Sequence, residues 1–127
     1  MTPRDIQRLS GVHPALVRVI TRAREHADFI VAEGVRTVAR QKELVAAGAS
    51  QTMASRHLTG HAVDLAALVA GKVRWDWPLY TALGAAVKRA AVEEKVAITW
   101  GGDWPWSGDW PKFRDGPHFE LNWKNYP

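Results

Sequence analysis

The sequence predicts an α+β fold: helices first, then a small antiparallel sheet with helices packed on one side and polar clusters at its edge. Three observations carry this. Apolar residues recur at helical spacing near the N-terminus and again between Leu79 and Ala91. Short β-prone runs, several bounded by glycine, separate and follow them. The candidate chemistry gathers in two short polar segments beside those runs.

Taken in order, Thr2 is an N-cap with Pro3 at the first helical position and Asp5 at the third, so a short helix opens there and Gly11 ends it. Pro14 opens a second helix in which Leu16, Val17, Ile20 and Ala23 share a face. Phe29 to Glu33 is a β-prone run stopped by Gly34. Thr37 caps a third helix through Gln41 and Leu44, and Gly48 suits its C-terminal stop. Residues 50–60 are polar and read as a loop. His61 to Val69 reads as a strand, with Ala70-Gly71 as a hairpin turn into Lys72 to Trp75. Asp76 and Pro78 start a long helix to about Lys95, with Leu79, Leu83, Val87 and Ala91 spaced by four. Val96 to Trp100 is a strand, residues 101–116 form a Trp- and Pro-rich loop, and Pro117 to Leu121 is a last short strand.

At 127 residues, with no repeat and no Pro/Gly/Ser-rich linker, the chain is expected to form one domain over residues 1–127. A domain of this size buries roughly two-thirds of its unfolded surface, enough for a core without staples. There is no cysteine, which excludes a disulfide framework and a thiolate metal site, so any metal is held by His, Asp or Glu. No stretch approaches the ~20 apolar residues of a membrane span, and membrane insertion is not expected. The N-terminus lacks the charged-then-apolar pattern of a secretory signal, so synthesis in the cytoplasm is expected. Net charge is +4, but the 17 Lys and Arg are scattered singly without a dense basic run. That basic balance suits an anionic envelope, and nucleic acid is not expected as a partner.

The two polar segments are Ser55-Arg56-His57-Leu58-Thr59-Gly60-His61-Ala62-Val63-Asp64 and Asp115-Gly116-Pro117-His118-Phe119-Glu120. A catalytic zinc site takes three protein ligands and keeps one open position for water. His57, Asp64 and His118 meet that need, with Asp115 as a spare carboxylate. On a strand, Asp64 points away from Val63 and Leu65, and His118 and Glu120 share one face while Phe119 and Leu121 take the other. Gly60 stands where a turn lets His57 swing back toward Asp64. A histidine beside a carboxylate also serves as a plain hydrogen-bonded pair, and spacing does not choose between the two.

Ser-x-His-x-x-Gly-x-Ala-x-Asp, followed by Trp-Gly-Gly-Asp-Trp and Asp-x-Pro-His-Phe-Glu, resembles the D-alanyl-D-alanine metallopeptidase family, from about Gly34 to Leu121. That family includes D,D-carboxypeptidases, D-Ala-D-Ala dipeptidases and phage endolysins of the L-alanyl-D-glutamate peptidase type, and the Asp-x-x-His form here is most similar to the endolysins. The resemblance implies the LAS-type metallopeptidase fold with Zn2+ held by His57, Asp64 and His118, and Asp115 as catalytic acid and base. It implies that Arg36, with Gln41 beyond it, holds substrate or the developing oxyanion, and that Ser55 contacts substrate or supports the site. His61 falls in a variable slot. Glu120 either orients a ligand imidazole or is a solvated strand-edge carboxylate.

Seven tryptophans need placing. Trp100, ending a strand, is expected in the packing, whereas Trp106 and Trp110, beside Gly and Pro in the long loop, are candidates for a substrate rim. The implied function is a zinc peptidase cutting the stem peptide of peptidoglycan, an endolysin acting as a monomer on the cell wall in the periplasm and reaching it through a holin. The alternatives are a D-alanyl-D-alanine carboxypeptidase or dipeptidase, and a non-catalytic zinc-containing wall-binding module. Asp115 and Arg36, both present, argue for an enzyme.

Overall fold

The computed structural model describes residues 1–48, 55–103 and 115–127. Among them the helices are α1 (Pro3–Arg8), α2 (Pro14–Ala23), α3 (Val38–Ala46) and α4 (Trp77–Glu94), and the strands are β1 (Phe29–Glu33), β2 (Ala62–Val69), β3 (Lys72–Arg74), β4 (Ile98–Trp100) and β5 (His118–Leu121). The elements match the sequence reading closely. Thr2 and Asp5 form a reciprocal capping box, Thr37 caps α3 through Arg40 N–H, and Ala70 and Gly71 both take positive φ between β2 and β3, as a two-residue hairpin requires. Differences are local. α1 stops at Arg8 rather than at Gly11, β4 begins at Ile98 rather than Val96, and residues 56–59 form a 3-10 turn where a loop was expected. In α2 the buried stripe is Leu16, Val19, Ile20 and Ala23, with Val17 only partly covered.

The sheet is antiparallel throughout, with order β1-β2-β5-β4 and β3 pairing with β2. Pairing puts cross-strand partners on the same face. Val31 opposes Leu65, Val63 opposes Phe119, and Phe119 opposes Trp100, so these side chains form one apolar face with Phe29, Ala67 and Leu121. That face joins the buried stripes of α2 and α4 in one core, including Leu16, Ile20, Leu83 and Val87. Each large side chain buried there contributes about 1.5–3 kcal/mol. The other face carries Asp64 opposite His118 and Ala62 opposite Glu120. The polar cluster thus sits on the two inner strands of the path, where β5 begins, so the edge it occupies is an end of the strands rather than an outer strand.

One irregularity decides what joins that polar face. The β1–β2 register shifts between Val31 and Glu33, and Glu33 pairs with Asp64. Regular alternation would put Glu33 on the apolar side with Phe29 and Val31; the bulge turns it onto the side of Asp64.

The outer edge of β1 is closed by α1. Asp5, 1% exposed, accepts from Val31 N–H at 2.9 Å and from Thr2 Oγ1 at 2.9 Å, while Arg8 donates to Val31 O at 2.8 Å. Val31 would otherwise offer bare strand-edge groups. Asp5→Ala is expected to cost roughly 2–4 kcal/mol, since the cap is lost and a buried N–H is left unpaired; chemical denaturation measures it. Burial would raise the Asp5 pKa, but the bonds from Val31 and Thr2 overcome that and hold it below its usual value. A depressed carboxylate contributes stability above its unfolded pKa, so the gap between wild type and Asp5→Ala should shrink as pH drops below about 4.

Candidate functional site

Two consecutive stretches and a third much later in sequence meet at the start of β5. The 3-10 turn at residues 56–59 carries His57, and Ser55 caps it by accepting from His57 N–H at 3.2 Å. Gly60 ends the turn at φ +76, and a side chain there would collide with Gly11 O, so this reversal into β2 is reserved for glycine. β2 then delivers Asp64 beside His57, and pairing delivers His118 beside Asp64.

One ligand atom from each of His57, Asp64 and His118 lies within 4.8 Å of the other two. His57 Nε2 is 3.3 Å and His118 Nδ1 3.4 Å from the same oxygen, Asp64 Oδ1. The outward nitrogens are already engaged. His57 Nδ1 is 2.9 Å from Gly34 O, a carbonyl that only accepts, so the proton sits on Nδ1. His118 Nε2 is 2.8 Å from Glu120 Oε1, so a proton sits on that outward nitrogen as well. Glu120 is 6% exposed, so it is this buried partner and not a solvated strand-edge carboxylate. The His57 Nε2 lone pair and Asp64 Oδ1 are buried without a hydrogen-bond partner. Two buried acceptors facing each other are costly unless a cation lies between them. Two nitrogens and one carboxylate oxygen, each imidazole oriented by an acceptor behind it, is a donor set that zinc accepts, as do other divalent ions.

The charged groups of the site also shift one another. Burial would raise the Asp64 pKa, yet the imidazoles of His118 and His57 hold it well below the usual carboxylate range. Burial would lower that of His118, but Asp64 and Glu120 push it up to about 9. Asp115 moves opposite to Asp64: burial raises it, and the charge of Asp64 adds to the rise, against smaller opposite effects of His118, His57 and Arg36. Asp115 therefore feels the whole cluster. It is anchored by its own backbone, with its N–H on Gly101 O and its carbonyl accepting from His118 N–H.

Arg36 lies on the other side of Asp64, its Nη2 3.6 Å from Asp64 Oδ2. Its guanidinium is fixed in a tight socket: Glu33 takes two bonds at 2.8 and 3.0 Å, Gln41 accepts at 2.7 Å, and Ser55 Oγ lies at 3.5 Å. The structure thus brings His57, Asp64, His118, Asp115, Arg36, Gln41 and Ser55 together. Gln41 is fully buried, so it faces Arg36 rather than open solvent. His61 belongs elsewhere, bonded to Thr59 and packed against His13. Trp100 is buried, as expected of packing. Trp106 and Trp110 lie outside the described residues. Glu33 is the residue that sequence reading missed; its only trace is the three-residue spacing to Arg36.

Comparison with known proteins places the chain among peptidases. A family model described as phage L-alanyl-D-glutamate peptidase matches residues 1–122. The L-alanyl-D-glutamate peptidase of Escherichia phage T5 is 35% identical over 104 residues, covering 77% of this chain and 76% of that protein. That of Listeria phage A118 is 38% identical over 99 residues, which is 78% of this chain and 32% of that longer protein. The crystal structure of the Serratia marcescens L-Ala D-Glu endopeptidase ChiX superposes with a TM-score of 0.88 at 49% identity, covering 100% of this chain and 92% of that one.

Proposed function

The chain belongs to the phage L-alanyl-D-glutamate peptidase family and is a peptidoglycan peptidase; from that premise we propose that it cuts between L-alanine and D-glutamate of the stem peptide, with zinc held by His57, Asp64 and His118 and Asp115 as acid and base. The observation that carries the metal assignment is the buried, unpartnered lone pair of His57 Nε2, facing Asp64 Oδ1 with His118 Nδ1 on the far side of that oxygen.

When bound, zinc supplies a Lewis acid that brings the ionisation of water near neutral pH. The chain's own residues do the rest. Asp115, its pKa raised from the ordinary value by burial, takes a proton from the attacking water and returns it to the leaving amine of D-glutamate. Arg36, already locked beside Asp64, meets the negative charge that develops on the scissile carbonyl oxygen without first having to be ordered. Ser55 and Gln41 bear on substrate through Arg36, as the walls of its socket. Trp106 and Trp110 remain our candidates for the substrate rim. Among the described residues no helix is long and apolar enough to cross a membrane. We place its action at the wall, as a monomer admitted by a holin.

Glu33 gives this reading a prediction of its own. Glu33→Ala is expected to lower kcat about tenfold or more by releasing the guanidinium, while Glu33→Gln, which keeps a single acceptor, should recover part of the loss. Steady-state kinetics of both variants check it; equal rates in all three proteins would remove Arg36 positioning from the mechanism.

The deciding experiment is mass spectrometry of purified muropeptides digested with zinc-loaded and chelator-stripped protein. Metal-dependent appearance of an N-terminal D-Glu is the expected result. Loss of terminal D-Ala instead would make the protein a carboxypeptidase, and no cleavage with zinc bound would make it a wall-binding module.

A further inference from the structure

Trp77 is 42% exposed and Trp75 61%, although both rings are firmly seated on one side. Trp77 stacks on Trp100 at 6.2 Å and 19°, and Trp100 stacks on Phe119 at 6.3 Å and 16°. The column runs from Phe119, on the core face of β5, out to the partly exposed Trp77. Its middle ring is pinned by Trp100 Nε1 donating to Gly116 O at 2.7 Å. Trp77 also abuts Gly116 directly, its Cζ3 3.3 Å from where a Cβ on that glycine would stand. Gly116 follows Asp115, so Trp77 packs against the loop that carries the base. Trp75 lies parallel on Tyr80 at 5.9 Å and 3°, leaving its other face open. Between the two tryptophans in sequence is Asp76, paired with Arg74, both side chains about half exposed.

A peptidase needs no exposed aromatic stack to fold, since an open indole face adds apolar surface to water. Its substrate does need one kind of partner. In peptidoglycan the L-alanine nitrogen is joined through a lactyl group to an amino sugar, so the sugar lies only about two residue lengths, ~7 Å, from the bond to be cut. A protein that cuts that first peptide bond meets the sugar together with the peptide. A pyranose offers a flat C–H face suited to the electron-rich face of an indole, with a rim of hydroxyls left for polar groups such as Arg74 and Asp76. We propose that the exposed part of Trp77, with the exposed Trp75 two residues before it in sequence, seats the amino-sugar ring of the glycan strand. The inference rests on the L-alanyl-D-glutamate reading above and names the second half of its substrate.

The test compares kcat/KM on two substrates: a disaccharide-linked stem peptide, and the same peptide carrying an N-acetyl group in place of the sugar. Wild type is expected to prefer the glycan-linked substrate, and Trp77→Ala to reduce that preference about tenfold. Because each variant is judged by the ratio of its two rates, loss of folded protein cancels. Trp77→Phe, which keeps a stacking ring over Trp100, should hold most of the preference. An unchanged ratio in Trp77→Ala, or no preference in wild type, overturns the proposal while leaving the peptidase reading intact. Wild type that cuts neither substrate overturns that reading, and this proposal with it.

Discussion

Asp115→Asn is expected to keep the fold and the metal while turnover falls about 10²–10⁴-fold. The substitution preserves shape and removes only the capacity to take a proton. Asp115 does not belong to the three-residue group that converges within 4.8 Å, so its loss leaves the donor set whole. Its backbone contacts to Gly101 and His118 are unaffected by the change of side chain. What disappears is a carboxylate whose pKa is raised by burial and by Asp64, and a raised carboxylate is the better proton acceptor. Turnover on muropeptides, metal content by elemental analysis and thermal melting on the same preparation separate these effects. Near-native turnover in Asp115→Asn would show that another group moves the proton.

His57→Ala should behave differently, losing metal and turnover together. The residue supplies a lone pair that no protein group satisfies, on a ring held by Gly34 O. Removing it leaves two donors, Asp64 and His118, and an open cavity where the third stood. Chelator treatment of wild type should reproduce the loss, and added zinc should restore the wild type only. Retention of a full equivalent of metal by His57→Ala would take that histidine out of the donor set. The same site predicts a pH dependence of metal uptake. In the metal-free protein His118 is pushed up to about 9, so below that pH it carries a proton that must leave before it can bind an ion. Affinity should therefore fall as pH drops below about 9, approaching tenfold per unit for one proton. Calorimetry in buffers of different ionisation enthalpy counts the proton released.

Much of this was readable from the chain because it depends on neighbours in sequence. Thr2, Pro3 and Asp5 determine the start of α1 within one turn, Thr37 does so for α3, and Ala70-Gly71 supplies the left-handed pair that a tight hairpin needs. Strand alternation separated Asp64 from Val63 and Leu65, and His118 from Phe119, before any pairing was known. The two polar segments also offered the two imidazoles and the carboxylate that the fold brings together.

Register and packing lay beyond that reach. Alternation alone assigns Glu33 to the core side; it clamps Arg36 only because a bulge in β1 pairs it with Asp64. Asp5 reads as a helix cap, yet its second oxygen closes the edge of β1 at Val31, 26 residues away. Trp77 opens a helix in sequence and becomes a neighbour of Gly116 only through its stack on Trp100. Element types, and the side each strand residue faces, were already determined by the amino-acid sequence, because turns, caps and alternation act over a few residues. Which imidazoles and carboxylate converge, which acid orders Arg36 and which indole borders Gly116 were settled only in three dimensions, because those depend on pairing between strands that the chain brings together only when its apolar faces are buried.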